Sequence, residues 1–129
     1  MIPKYRAWHK ELKVMYEVLA IDLFNKAVTV KFDKEHYRIY SFDDIILMQL
    51  AHEDDCRIIY DKDIVIDANS GDIGVVFYSE DDCAWKVKTD STDDWLYDWL
   101  YDSLYYWLGC EVIGNIYENP ELLESVEVE

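Results

Sequence analysis

From Asp63 to Thr89 the chain is built of β-branched and aromatic runs separated by turn formers. Asp63-Ile64-Val65-Ile66-Asp67 leads into Ala68-Asn69-Ser70-Gly71. Ile73 to Tyr78 leads into Ser79-Glu80-Asp81-Asp82, and Ala84 to Thr89 alternates Trp85 and Val87 with Lys86 and Lys88. Runs of this composition with period two are half-buried strands, and Gly71 supplies a residue that takes positive φ at no steric cost. The stretch predicts a three-stranded antiparallel meander.

The first fifty residues follow the same grammar. Lys4 to His9 alternates crudely, Val18 to Asp22 is apolar, and Ala27 to Phe32 sets Val28, Val30 and Phe32 against Thr29 and Lys31. Turns are expected at residues 9–13, at Phe24-Asn25-Lys26 and at Asp33-Lys34-Glu35-His36, with a further strand over Tyr37 to Tyr40. Ser41-Phe42-Asp43-Asp44 fits either the cap of a short helix over residues 45–48 or the lead into a buried strand, and periodicity over so few residues does not separate the two. Strand is the preferred reading.

After Thr89 the pattern changes. Asp90-Ser91-Thr92-Asp93-Asp94 reads as an N-cap with acids at the positive end of a helix dipole. Trp95 to Leu108 then runs without Gly, Pro, Val or Ile, and Gly109 stops it. One aromatic α-helix is expected here. On a wheel of about 100° per residue, Leu96, Leu100, Leu104, Trp107 and Leu108 share one face. Trp95, Trp99 and Tyr106 fall beside it, as a candidate protein interface or as side chains tucked under a loop of the same chain. Asp94, Asp98 and Asp102 form an acidic stripe, either a solvated face or the start of a nucleic-acid mimic. Acids at this spacing rise by about 6 Å, against one phosphate per ~3.4 Å of a DNA strand, so other acids must contribute to any mimicry. A strand from Glu111 to Tyr117 and a helical turn from Glu121 to Glu124, opened by Pro120, complete the expected elements. Val112, Ile113 and Ile116 are expected in the core.

Charge excludes several functions. Twelve Lys/Arg against 28 Asp/Glu give −16, so non-specific nucleic-acid binding and attraction to an anionic membrane are disfavoured. No apolar run approaches the ~18 residues of a membrane span, and the N-terminus lacks a signal-peptide core, so a cytoplasmic protein is expected. Cys56, Cys83 and Cys110 are odd in number and widely spaced, which fits a reducing compartment without a disulfide framework. Hydrophobic residues make up 51% of the 129, enough to bury a core, and eleven Tyr with five Trp favour strands and subunit contacts.

No chemistry-bearing motif stands out. The cysteines and histidines lack C-x2-C or H-x3-H spacing, so no metal site is expected. Asp67-x-Asn69-x-Gly71 resembles a calcium loop only until Tyr78 falls where a bidentate Glu is required. His9, His36 and His52 have no evident orienting neighbour in sequence, and no nucleophile elbow, P-loop or dinucleotide fingerprint is present. Arg6, Arg38 and Arg57 read as salt-bridge partners. No catalytic, cofactor-binding or metal residue is assigned, and an enzyme is not expected.

Two terminal stretches are familiar. Pro3-Lys4-Tyr5-Arg6-Ala7-Trp8-His9-Lys10 with Met15-Tyr16, and Glu111-Val112-Ile113-Gly114-Asn115-Ile116-Tyr117-Glu118-Asn119-Pro120-Glu121-Leu122-Leu123, resemble the opening and closing motifs of YopX-like bacteriophage proteins. Leu47-Met48-Gln49 and Ile59-Tyr60-Asp61-Lys62-Asp63-Ile64-Val65 resemble internal segments of that family. Residues 50–57 lack its usual glycine-rich loop, and Lys62 stands where Gly is typical. The resemblance implies a phage or prophage origin, the cytoplasm of a bacterial host, a mainly β fold and homo-oligomerisation. It implies no activity and carries over no functional residue.

The expected fold is therefore mainly β, with barrel-like or sandwich-like sheets and one aromatic α-helix near the C-terminus. It forms a single domain over 1–129 with a soft division near Glu53. The expected role is a non-enzymatic accessory protein that binds protein, either itself or a basic host protein. The alternatives are an acidic nucleic-acid mimic that blocks a host DNA- or RNA-binding protein, and a small hydrolase with an unrecognised carboxylate site.

Overall fold

A computed structural model describes residues 4–55, 57–67, 70–89, 93–95 and 110–123. Along these the strands are β1 (Tyr5–His9), β2 (Val14–Asp22), β3 (Ala27–Lys31), β4 (Tyr37–Ser41), β5 (Ile45–Glu53), β6 (Ile58–Tyr60), β7 (Asp63–Asp67), β8 (Ile73–Ser79), β9 (Ala84–Lys88), β10 (Asp93–Trp95) and β11 (Cys110–Asn115). Two 3-10 turns, Phe42–Asp44 and Pro120–Leu123, complete the described elements. The strands form one sheet in the order β4-β3-β2-β1-β5-β6 and another in the order β10-β9-β8-β7-β11. The chain divides into two compact units, Met1–Leu50 and Ala51–Glu129.

In the N-terminal unit β1 to β4 form an antiparallel meander, and the first 3-10 turn sends β5 back beside β1, with Ala7 registered against both Tyr16 and Leu47. Period-two alternation places Ala7, Val28, Val30 and Ile45 in a buried cluster, with Tyr16, Ile21, Tyr40 and Leu47 packed on it. A register shift in β2 between Val18 and Ala20 inserts Leu19 as a bulge, so the strand pairs with β1 through its first half and β3 through its second. The Ser41 hydroxyl accepts the Asp43 amide at 3.2 Å, so the ambiguous segment is a capped 3-10 turn followed by a strand.

In the C-terminal unit β7, β8 and β9 make the predicted meander, β10 extends it beyond β9, and β11 adds at β7. Ile59, Val65, Val76, Val87 and Cys110 form its buried cluster, with Ala51 and Trp85 packed against it. Full burial of one such aliphatic side chain contributes about 1.5–3 kcal/mol.

The aromatic α-helix is not borne out. Asp93–Trp95, expected as the cap and first residue of that helix, is a strand registered as Asp93 against Lys88 and Trp95 against Lys86. Among the described residues no α-helix occurs. Strand pairing with β9, a long-range backbone contact, overrides the local capping signal of these residues. The rest of the expected helix, 96–108, lies outside the described residues. Val112 and Ile113, expected in the core, are each 36% exposed.

Candidate interaction surface

The sequence-derived interface does not survive as a helical face. Asp94 and Trp95 are consecutive positions of β10, an extended strand, so the i, i+4 spacing of the stripe does not start there. Asp98, Trp99, Asp102 and Tyr106 lie outside the described residues.

The segments that resemble the family's motifs are occupied in holding the chain together. Asn115, 5% exposed, accepts the amides of Tyr117 and Glu118 on its side-chain oxygen at 3.1 and 2.9 Å and donates to Glu118 Oε1 at 2.8 Å. Gly114 sits at a register shift in β11, where a Cβ would collide with the Asn119 side chain. Asn119 in turn accepts the Leu122 amide on its carbonyl at 3.1 Å, ahead of Pro120 at the start of the second 3-10 turn. Gly-Asn-x-x-x-Asn-Pro is thus a hydrogen-bonded bend. Buried Asp63 accepts the Tyr60 amide at 2.7 Å across the β6–β7 turn. Lys62 takes φ +68, the left-handed conformation that glycine adopts freely, so this turn is reached without glycine.

The histidines and arginines are likewise committed locally. His9 is buried and accepts the Leu12 amide on Nδ1 at 3.0 Å, which shapes the β1–β2 turn. His52 Nε2 lies 2.8 Å from Asp54, which also takes the Arg57 Nε–H at 3.1 Å, while Arg57 Nη1 donates to the Cys110 carbonyl at 2.6 Å. Burial pushes the Cys110 thiol up to about 11, so it stays protonated at neutral pH. Cys83 is exposed on the β8–β9 turn, and Cys56 lies outside the described residues. Among the described residues no group of three His, Cys, Asp or Glu is placed to hold a metal ion.

Among the described residues, the most exposed large apolar side chains lie at the two ends of β3. At one end the β2–β3 turn raises Leu23 and Phe24 into solvent, 78% and 93% exposed. This tip is braced: the Asn25 amide donates to Asp22 Oδ1 at 3.0 Å, the Asn25 side chain donates to Oδ2 at 2.7 Å, and Lys26 takes φ +53. These bonds, the backbone one first, hold the Asp22 carboxyl below its ordinary 3.8. At the other end, Phe32, Asp33, His36, Tyr37, Arg38 and Ile39 line an open groove of about 620 Å³ along β4, the edge strand of its sheet. Tyr37 is 65% and Ile39 63% exposed, and the Arg38 guanidinium lies 4.2 Å from the Phe32 ring centre. Asp33 braces this turn, accepting the Glu35 and His36 amides at 2.8 Å each and pairing with the His36 ring at 2.8 Å. The Glu35 amide first and the His36 ring second lower its carboxyl.

The sequence does carry a sign of this surface: two bulky apolar residues occupy the centre of Asp22-Leu23-Phe24-Asn25-Lys26, where turns favour Gly, Pro, Asn, Asp and Ser. Charge is also unevenly divided. Residues 1–50 hold eight Lys/Arg and seven Asp/Glu, net +1, and residues 51–129 hold four and twenty-one, net −17.

Two antiparallel sheets among the described residues, with apolar side chains exposed at a hairpin tip and a sheet edge, define a mainly β protein. The chain belongs to the YopX family, phage-associated and of unestablished function, whose model, described as YopX protein, matches residues 4–124. No curated protein matches it. Among the described residues no helix is long and apolar enough to cross a membrane.

Proposed function

We propose that the chain is a non-enzymatic phage or prophage accessory protein that acts in the host cytoplasm by binding protein, through the N-terminal unit. The observation that carries this reading is the concentration of large exposed apolar side chains, Leu23, Phe24, Tyr37 and Ile39, on the unit that is close to neutral. They form two separate patches, Leu23 with Phe24 and Tyr37 with Ile39; exposed apolar patches mark interaction surfaces, and aromatic anchors dominate their energetics. Local hydrogen bonds fix the tip before any partner arrives, so little ordering cost attends binding. A pull-down from host lysate at low and high salt, repeated with Phe24→Ser, tests it. Capture that survives high salt and is lost in the variant supports the reading. Capture indifferent to Phe24 contradicts it.

A second reading is kept by the net −17 of the C-terminal unit: an acidic surface that occupies the basic groove of a host nucleic-acid-binding protein. It requires capture that disappears at high salt, because exposed charges are screened over about 8 Å at 0.15 M.

A further inference from the structure

We propose that β4 receives an extended segment of a partner protein as an added strand, and that this segment carries an acid between two apolar residues. The inference rests on the protein-binding reading and deepens it by naming how the partner binds and what it must present. The backbone supplies the first argument. The Phe32 amide donates to the His36 carbonyl at 3.0 Å and the Phe42 amide to the Lys26 carbonyl at 2.9 Å, so 32/36 and 26/42 are hydrogen-bonded pairs. Antiparallel pairs alternate between bonded and non-bonded, and the register from Ala27↔Ser41 to Lys31↔Tyr37 runs without a shift. Arg38 and Tyr40 therefore direct their main-chain groups at β3, whereas Tyr37, Ile39 and Ser41 turn theirs to the other side. Among the described residues no strand lies there, since β4 ends its sheet. Sheet edges are commonly guarded by lysines, proline or a bulge; β4 has no proline and no bulge, and its one charge is Arg38.

The side chains supply the second argument. Strand alternation puts Tyr37 and Ile39, 65% and 63% exposed, on one face and Arg38 on the other. A strand laid beside β4 sets its own residues against these in the same alternation. Apolar residues match Tyr37 and Ile39. A carboxylate matches Arg38, whose guanidinium lies on the Phe32 ring and donates no hydrogen bond among the described residues. Charge elsewhere around the strand is mixed. Lys31, Lys34, Asp33, Glu35 and His36 flank its Tyr37 end. Lys10, Lys26, Asp22, Asp43 and Asp44 flank its Ser41 end. Asp33 is held by the Glu35 and His36 amides and the His36 ring. Arg38, on the strand itself, is thus the charge that an added strand meets at closest range. Apolar-acid-apolar reads the same in both directions, so it suits parallel and antiparallel addition alike. Main-chain bonds that give affinity, with alternate side chains that give selectivity, are how sheet edges recognise extended peptides.

The test uses the full chain and three synthetic peptides, identical except for Ile-Glu-Phe, Ile-Gln-Phe or Ile-Lys-Phe at the centre. Physiological ionic strength screens the repulsion between the chain's −16 and an acidic peptide beyond about 8 Å. Amide hydrogen exchange followed by NMR reads the pairing. Without peptide, the Tyr37, Ile39 and Ser41 amides are expected to exchange fast and those of Arg38 and Tyr40 slowly. Saturating Ile-Glu-Phe peptide is expected to slow the first three. Titrations are expected to rank Glu above Gln by about threefold, with Lys weakest, and Arg38→Ala to erase that order. Ile39→Pro removes an outward N–H and leaves the β3 ladder, and is expected to weaken binding about tenfold. Circular dichroism melts check its folding. Should it fail to fold, peptides N-methylated at the central amides take its place, with the same loss expected. Tyr37, Ile39 and Ser41 amides that are protected without peptide, or that still exchange freely at millimolar peptide, overturn the proposal, as does equal binding of the three peptides. Host-protein capture lost in Phe24→Ser but kept in Ile39→Pro overturns strand addition at β4 and leaves the protein-binding reading standing.

Discussion

The two units solve the same folding problem and present opposite surfaces. Each buries a small aliphatic cluster under an antiparallel meander, around Val28 and Val30 in one and Val65 and Val76 in the other. The N-terminal unit carries net +1 and exposes Phe24 and Leu23 almost fully. The C-terminal unit carries net −17, and its most exposed large apolar residues among those described, Ile58 and Tyr78, reach 48% and 47%. On the proposed reading, solubility and binding fall to different parts of one chain. A strongly negative unit keeps the protein dispersed, and a neutral one is free to hold apolar anchors in water without long-range repulsion at the contact.

The sharpest way to test the separateness of the two cores is to empty each. Ile59→Ala and Ile45→Ala each remove a buried side chain and are expected to cost about 2–5 kcal/mol in urea unfolding. Hydrogen exchange should show the larger loss of protection in the unit that carries the change. Next in size is Asn115→Ala, which leaves two backbone amides without their acceptor and is expected to cost about 1–3 kcal/mol by the same measurement. Lys62→Gly should act in the opposite sense. It relieves a left-handed lysine that costs about 1–2 kcal/mol, offset by the ~0.5–1 kcal/mol of extra chain entropy glycine loses, for a small net gain in melting temperature.

The smallest effects come from titration. Asp22, Asp33 and Asp82 all have lowered carboxyl values, through the Asn25 amide, the Glu35 amide and the Lys86 ammonium respectively. A depressed carboxyl contributes stability that is present above its ordinary 3.8 and is lost as pH falls through the lower folded value. Acid titration followed by NMR should therefore loosen the β2–β3 and β3–β4 turns only below about pH 4. At neutral pH Cys83 should alkylate readily, whereas Cys110, whose thiol is pushed up to about 11, should react only on unfolding.

The strands were legible wherever period two was sustained, as in Val28 and Val30 against Thr29 and Lys31, or Trp85 and Val87 against Lys86 and Lys88. Ile58–Tyr60 was not, because three residues define no period and their place depends on β5, a neighbour fixed only by folding. Asp93–Trp95 was not, for a related reason: acids before an aromatic run cap a helix in isolation, but here the backbone of Asp93 to Trp95 pairs with Lys88 to Lys86 of β9, a partner fixed only by folding. Val112 and Ile113 show that β-branched residues beside a bulge need not face a core. The candidate surface was hidden by the habit of assigning apolar residues to the interior. Leu23 and Phe24 could be recognised only as a turn with the wrong composition, and the groove depends on Phe32 and Ile39 coming together across the β3–β4 turn.

Side-chain footprinting of the full chain, compared in dilute buffer and in host lysate, addresses the central claim most directly. Binding through the N-terminal unit predicts that Leu23, Phe24, Tyr37 and Ile39 lose reactivity in lysate while Tyr78 in the C-terminal unit does not. Unchanged reactivity at those four positions, with loss confined to residues 51–129, would contradict it and transfer the binding role to the acidic unit.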